Sequence, residues 1–119
     1  MKTAINLNGI TKEFDNQKVL KDLDLEVKPK EIFTIIGPSG VGKTTLLRII
    51  SGLEKPDYGT IDIDGNIGLV FQQGYLWPHK TVINNITEPL IKIKKIDKKI
   101  AEQKAEQILE NLGLLNKSY

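Results

Sequence analysis

Apolar and polar residues alternate in some stretches of this chain and merge into a continuous apolar run in another. Residues 19–27 place Leu23, Leu25 and Val27 two apart between charged neighbours, the period of a half-buried antiparallel strand. Residues 4–7 alternate more weakly and predict a short strand before it. Residues 11–17 are polar apart from Phe14 and predict a turn. Lys28-Pro29-Lys30 closes the alternating strand. Residues 31–36 then read Glu-Ile-Phe-Thr-Ile-Ile, which predicts a parallel strand buried on both faces. A helix is expected over residues 45–51, stopped by Gly52.

The second half predicts a turn over residues 54–59, punctuated by Pro56 and Gly59. Residues 60–65 alternate as a strand and residues 67–71 form another apolar strand, with Asp64-Gly65-Asn66 as a tight hairpin between them. Thr81 is placed to cap a helix over residues 82–86, which Pro89 limits or kinks. Asp97 is placed to cap a second helix over residues 98–112. There Ala101, Ala105, Ile108, Leu109 and Leu112 fall on one face, and Gly113 is the natural stop. No repeat, low-complexity segment or flexible linker interrupts the 119 residues.

Composition narrows the function classes. A net charge of +2, from 17 basic and 15 acidic residues, argues against a dedicated nucleic-acid surface. There is no cysteine, so neither a disulfide framework nor a thiolate metal site is available, which fits a cytoplasmic setting. The first residues lack the apolar core of a signal peptide. No apolar run approaches the roughly 18 residues of a membrane helix.

Gly37-Pro38-Ser39-Gly40-Val41-Gly42-Lys43-Thr44 carries the chemistry. It matches G-x-x-x-x-G-K-[ST], the phosphate-binding loop of nucleoside-triphosphate enzymes. Chance gives such a match in roughly 0.4% of chains this long. Gly37, Gly40 and Gly42 free the backbone to turn several N–H groups onto phosphate oxygens. Lys43 is expected to reach the β- and γ-phosphates, and the Thr44 hydroxyl to ligate Mg²⁺. The following helix points its positive end at the same oxygens.

Beyond the loop, Val70-Phe71-Gln72-Gln73-Gly74-Tyr75-Leu76-Trp77-Pro78-His79-Lys80-Thr81-Val82 closely resembles the Q-loop segment of ABC-transporter ATPases. Gly37 through Thr45, the run Leu46-Leu47-Arg48-Ile49-Ile50-Ser51-Gly52-Leu53-Glu54, and Pro56-Asp57-Tyr58-Gly59-Thr60-Ile61 resemble the same family. Phe71-Gln72-Gln73, Pro78-His79 and Glu88-Pro89-Leu90 look most like importers of polar amino acids. The resemblance implies an α/β fold of the P-loop NTPase class, ABC ATPase type. It implies an antiparallel β subdomain at about residues 1–30 and 59–71, a phosphate loop and helix at 31–53, and a Q-loop and helical segment at 72–119. ATP and Mg²⁺ are the implied ligands.

By the same resemblance, Phe14 stacks on adenine, with Val19 flanking the base. Gly37, Ser39, Gly40, Gly42, Lys43, Thr44 and Thr45 hold the nucleotide. Thr44 and Gln72 approach the metal, and Lys43 and Gln72 are the catalytic candidates. Tyr75, Leu76 and Trp77 lie where the family receives a helix of its membrane permease. That permease and a second ATPase subunit are the implied partners, nucleic acid is not, and the expected location is the inner face of the cell membrane. His79 follows the Q-loop and is distinct from the family's switch histidine. Lys92, Lys94, Lys95, Lys98 and Lys99 read as a solvated face.

The sequence departs from the family in two places. The link from Asp64 to Ile67 is shorter than in most amino-acid importers. The Leu-Ser-Gly-Gly-Gln signature, the acidic strand, the catalytic glutamate and the switch histidine do not occur in the 119 residues. The expectation is therefore the N-terminal half of an ATPase, with an incomplete core, exposed apolar edges and no turnover by itself. The other readings are a non-hydrolysing nucleotide-binding remnant, a DNA-repair-type ABC ATPase, and a small phosphate-loop kinase or GTPase. The last lacks any Asn-Lys-x-Asp guanine reader.

Overall fold

A computed structural model describes residues 2–117 and divides into two units, residues 1–70 and residues 71–119. In the first, β1 (Ile5–Phe14) and β2 (Gln17–Val27) form an antiparallel hairpin, and β3 (Tyr58–Ile63) pairs with the other edge of β1, giving the order β2-β1-β3. The helix α1 (Lys43–Ile50) lies between β2 and β3 in sequence.

The predicted turn over residues 11–17 is narrower than its polarity suggests. β1 runs on to Phe14, and only Asp15 and Asn16, at φ 48° and 61°, make the turn. Two consecutive left-handed residues are what a tight hairpin of this hand needs, and Asp and Asn tolerate them. The β1–β2 register pairs Leu7 with Leu25, Ile10 with Leu23, Lys12 with Leu20, Glu13 with Lys18 and Phe14 with Gln17. Val19 is thus left without an opposite residue, as in a β-bulge.

The third strand is held by an unusually close backbone approach. At Gly59 (φ 102°) a Cβ would stand 2.6 Å from the carbonyl oxygens of Asn8 and Gly9. Only glycine can occupy that position without moving β1.

The core of this unit is Leu7, Ile10 and Leu20 from the sheet with Leu46 and Ile49 from α1, edged by Ile5, Leu23, Leu25, Ile35, Ile50 and Ile61. Leu46 and Ile49 are three apart, so they share the helix face that meets the sheet. Each such side chain contributes about 1.5–3 kcal/mol when fully buried.

Two predicted strands do not form. Residues 31–36 have no ladder partner, and Ile32 and Ile36 are 96% and 90% exposed. All described strands are antiparallel, and a parallel strand without a parallel neighbour has nowhere to place its N–H and C=O groups. Ile35 alone keeps an inward contact. Residues 67–71 are likewise irregular, and the hairpin at 64–66 is absent. Instead the N–H of Asp64 donates to the Ala4 carbonyl (3.0 Å).

In the second unit, α2 (Val82–Lys92) and α3 (Lys98–Asn111) pack together, followed by a short 3₁₀ turn, Leu115–Lys117. Thr81 caps α2 by accepting from the Asn84 N–H, and Asp97 caps α3 by accepting from Lys99 and Ile100, as their residue types predict. α2 passes through Pro89 to Lys92 rather than ending at residue 86. Ala101, Ala105 and Leu109 are buried, whereas Ile108 and Leu112, expected on the same face, are 50% and 65% exposed. The buried stripe is therefore narrower, one residue per turn at a spacing of four.

Candidate phosphate-binding site

The glycine loop leads straight into α1, which starts at Lys43, two residues earlier than expected. Gly42 is the N-cap and takes the left-handed conformation, φ 110° and ψ 7°. A Cβ there would lie 3.0 Å from Val19 Cγ1 and 3.1 Å from both Leu20 Cδ2 and the Val19 carbonyl oxygen. The loop is therefore seated directly on the bulged segment of β2, and Val19 and the glycine loop meet in one place.

The first intrahelical bond runs from the Leu46 N–H to the Gly42 carbonyl (2.9 Å). The amides of Lys43, Thr44 and Thr45 have no partner within the helix. No side chain caps this end, and no acidic residue stands in its first turn. Donors at a positive helix terminus with no carboxylate nearby fit an anion carrying several oxygens. The Lys43 ammonium adds a full charge over the loop, donating to the carbonyls of Gly37 and Pro38, the latter at 2.8 Å. Ser39, Gly40 and Thr44 are exposed, and Gly37 and Thr45 are half-buried. The Thr44 hydroxyl suits a hard cation such as Mg²⁺. Among the described residues no group of three or more His, Cys, Asp or Glu could hold a metal ion.

Phe14 stands at the end of β1, 42% exposed, with the Lys12 ammonium 5.0 Å from its ring centre. Lys12 itself is 9% exposed and is bound by Glu54 (3.0 Å) and Asp57 (3.4 Å). Its hydrogen bond to Glu54 is the largest influence holding the ammonium above its ordinary pKa. Sequence reasoning passed over Lys12. The signal was its place two residues after Ile10 on β1, an inward position where an apolar residue belongs.

Gln72 belongs to the second unit, exposed in an irregular segment. The loop that follows is built by Asn85, which sequence reasoning also passed over. Its carbonyl accepts from the Trp77 N–H (2.7 Å), and its amide donates to the carbonyls of Trp77, Lys80 and Thr81. The Lys80 ammonium sits 4.5 Å from the Trp77 ring centre and bonds Glu88. Glu88 also takes Lys92 (3.1 Å). Hydrogen bonds from Lys80 first and Lys92 second hold its carboxyl below the usual range. Tyr75, Leu76 and Trp77 are exposed, and Phe71 meets Tyr75 edge to face at 4.8 Å.

Known proteins resemble this chain along most of its length. The spermidine/putrescine import ATP-binding protein PotA of Acetivibrio thermocellus is 45% identical, over 94% of this chain and 35% of its own length. The arginine transport ATP-binding protein ArtM of Bacillus subtilis is 39% identical, over 95% and 53%. The lipoprotein-releasing system ATP-binding protein LolD of Bacteroides thetaiotaomicron is 41% identical, over 96% and 60%. The chain spans between about a third and three fifths of the length of these curated relatives, and their names divide among polyamines, amino acids and lipoprotein release. The family described as "ABC transporter" matches residues 20–119. A match of that extent, across the glycine loop, α1 and the helical segment alike, makes this chain a member of the ABC transporter family.

Proposed function

We propose that this chain supplies the nucleotide-binding part of an ATP-binding subunit, which couples ATP binding and hydrolysis to import of a small solute of the amino-acid class. The reading rests on one observation above all, the uncapped N-terminus of α1 behind a left-handed Gly42. The amides of residues 43–45, with Ser39 and the backbone of Gly37, Gly40 and Gly42, cradle the phosphates. Lys43 neutralises the charge that builds on the transferred phosphoryl group. The Thr44 hydroxyl would hold Mg²⁺, which would neutralise phosphate charge, and Gln72 is the candidate for a second metal contact and for positioning the attacking water. Phe14 stacks on the base beside Val19.

In this reading residues 1–30 and 59–71 form the β subdomain, 31–53 the phosphate loop and helix, and 72–119 the Q-loop and helical segment of one nucleotide-binding domain. A membrane permease and a second ATPase subunit are its partners, on the cytoplasmic face. Among the described residues no helix is long and apolar enough to cross a membrane. The solute class is supported by relatives named for arginine, cystine and glutamate transport.

Calorimetry with Mg·ATP tests the site. Lys43→Ala removes a charge-assisted contact and is expected to weaken binding about 10- to 100-fold. Equal affinity in both proteins overturns the assignment. Uptake into proteoliposomes holding the permease tests the solute, with labelled amino acids against spermidine. Polyamine uptake alone removes the amino-acid reading.

A further inference from the structure

Lys12 is a long cationic side chain almost wholly withdrawn from water, and the phosphate cradle gives it no task. Such a side chain ordinarily keeps its ammonium in solvent. Here the ammonium is held from three sides: Glu54 Oε1 at 3.0 Å, Asp57 Oδ1 at 3.4 Å and the Phe14 ring centre at 5.0 Å. The Asp57 carboxylate and the backbone that carries Glu54 are themselves fixed. The Asp57 N–H donates to the Thr11 carbonyl (2.9 Å), and its Oδ2 accepts from the Glu13 N–H (2.8 Å). The Glu54 N–H donates to the Arg48 carbonyl (3.1 Å) in α1. The cation therefore has a preset position beneath the ring.

Phe14 is the last residue of β1, beside a two-residue turn, and 42% exposed. An aromatic at such a place samples several rotamers unless something holds it. A cation against one ring face attracts the π electrons toward itself and leaves the opposite side for a second flat group. A base stacked there meets a ring already oriented and already depleted on the meeting face.

We propose that Lys12 is a positioning residue for nucleotide recognition: held by Glu54 and Asp57, it fixes and polarises the Phe14 ring so that the ring's free face stacks on a purine base. The proposal rests on the reading of Phe14 as the base platform. Lys12 does not touch the nucleotide. It sets the base-dependent part of affinity and leaves the phosphate-dependent part alone.

The test compares binding of Mg·ATP with binding of Mg·tripolyphosphate, which has the phosphates and no base, on the full chain. Lys12→Met is expected to weaken ATP about 3- to 10-fold while tripolyphosphate binding stays as in the unaltered protein. Lys12→Arg, which keeps a cation over the ring, is expected to restore ATP binding. In a Phe14→Leu background, Lys12→Met is expected to add no further loss. Equal weakening of both ligands, or an unchanged ratio, overturns the proposal and makes Lys12 a framework residue. Phe14→Leu by itself separates the two ideas: an unchanged ATP-to-tripolyphosphate ratio there removes the platform reading, and the Lys12 proposal with it. Should Lys12→Met fail to fold, Glu54→Gln loosens the ammonium by its closest partner. A lowered ratio in that variant supports the proposal and an unchanged one overturns it.

Discussion

Gly42 concentrates two demands in one residue. Its backbone is left-handed, and the space a Cβ would need is taken by Val19 and Leu20. The side chains can give by a few tenths of an ångström, but the Val19 carbonyl belongs to the sheet. Gly42→Ala is therefore expected to lower stability by about 1–3 kcal/mol through backbone strain and to weaken Mg·ATP binding as the amides of residues 43–45 are re-aimed. Urea unfolding and calorimetry check the two effects, and an unmoved urea midpoint contradicts the strain. The motif made Gly42 legible in the sequence as a loop glycine. It did not reveal Val19 as the residue beneath it, because that contact depends on a bulge opposite Lys12 and Glu13 that no pairwise alternation announces. Lys12 and Asn85 escaped for a related reason. A polar residue is read from sequence as solvated, and only the fold shows that its partners surround it.

Among the elements, the helix caps and the alternating strands carried over from sequence to structure, and the two continuous apolar runs did not become strands. Thr81 and Asp97 cap α2 and α3 through contacts two or three residues away, a local property that the sequence states directly. Residues 31–36 and 67–71 have strand composition, but a strand exists only with a neighbour, and composition cannot supply one. α2 is also where pH should act. Its Glu88 carboxyl titrates below its ordinary value of about 4.3 because Lys80 and Lys92 bond the charged form. The sign follows from linkage: the contribution is complete above the unfolded-state value and fades as pH falls through the lower folded-state value. Glu88→Gln should thus be less stable than the unaltered chain near pH 7. The two stability curves should converge as pH drops below about 4.3. Helicity followed by circular dichroism across that range checks it, and a constant gap at low pH would contradict the assignment.

At the scale of the whole molecule, the proposed reading separates nucleotide-binding groups from the groups the family uses for turnover. The 119 residues hold the loop, Phe14 and Gln72, while the family's signature, catalytic glutamate and switch histidine are not encoded in them. Hydrolysis needs a positioned water, charge neutralisation and a proton acceptor together. The purified 119-residue polypeptide is expected to bind ATP and release no phosphate above background. Steady-state release that Lys43→Ala abolishes would show that these residues suffice. The family was legible from the loop and Q-loop blocks because each is a run of consecutive residues. The transported solute was not, since relatives named for polyamine import, arginine transport and lipoprotein release match this chain to a similar degree, at 45%, 39% and 41% identity.

The placement of β3 has a consequence for the order in which the first unit assembles. β1 and β2 meet across two residues, so their zippering is local and fast. β3 reaches β1 only after residues 28–57, with the glycine loop and α1 inside them, have been drawn into a ring whose ends share one sheet. Closing a ring of that size costs on the order of 3 kcal/mol in chain entropy, and the Gly59 approach to Asn8 and Gly9 is the clasp. A ligand that stiffens the ring's interior lowers that cost, so nucleotide and clasp should reinforce each other. Amide exchange at Ile61 and Ile63, residues of a strand outside the cradle, should slow when Mg·ATP is added, and slow less in Gly59→Ala.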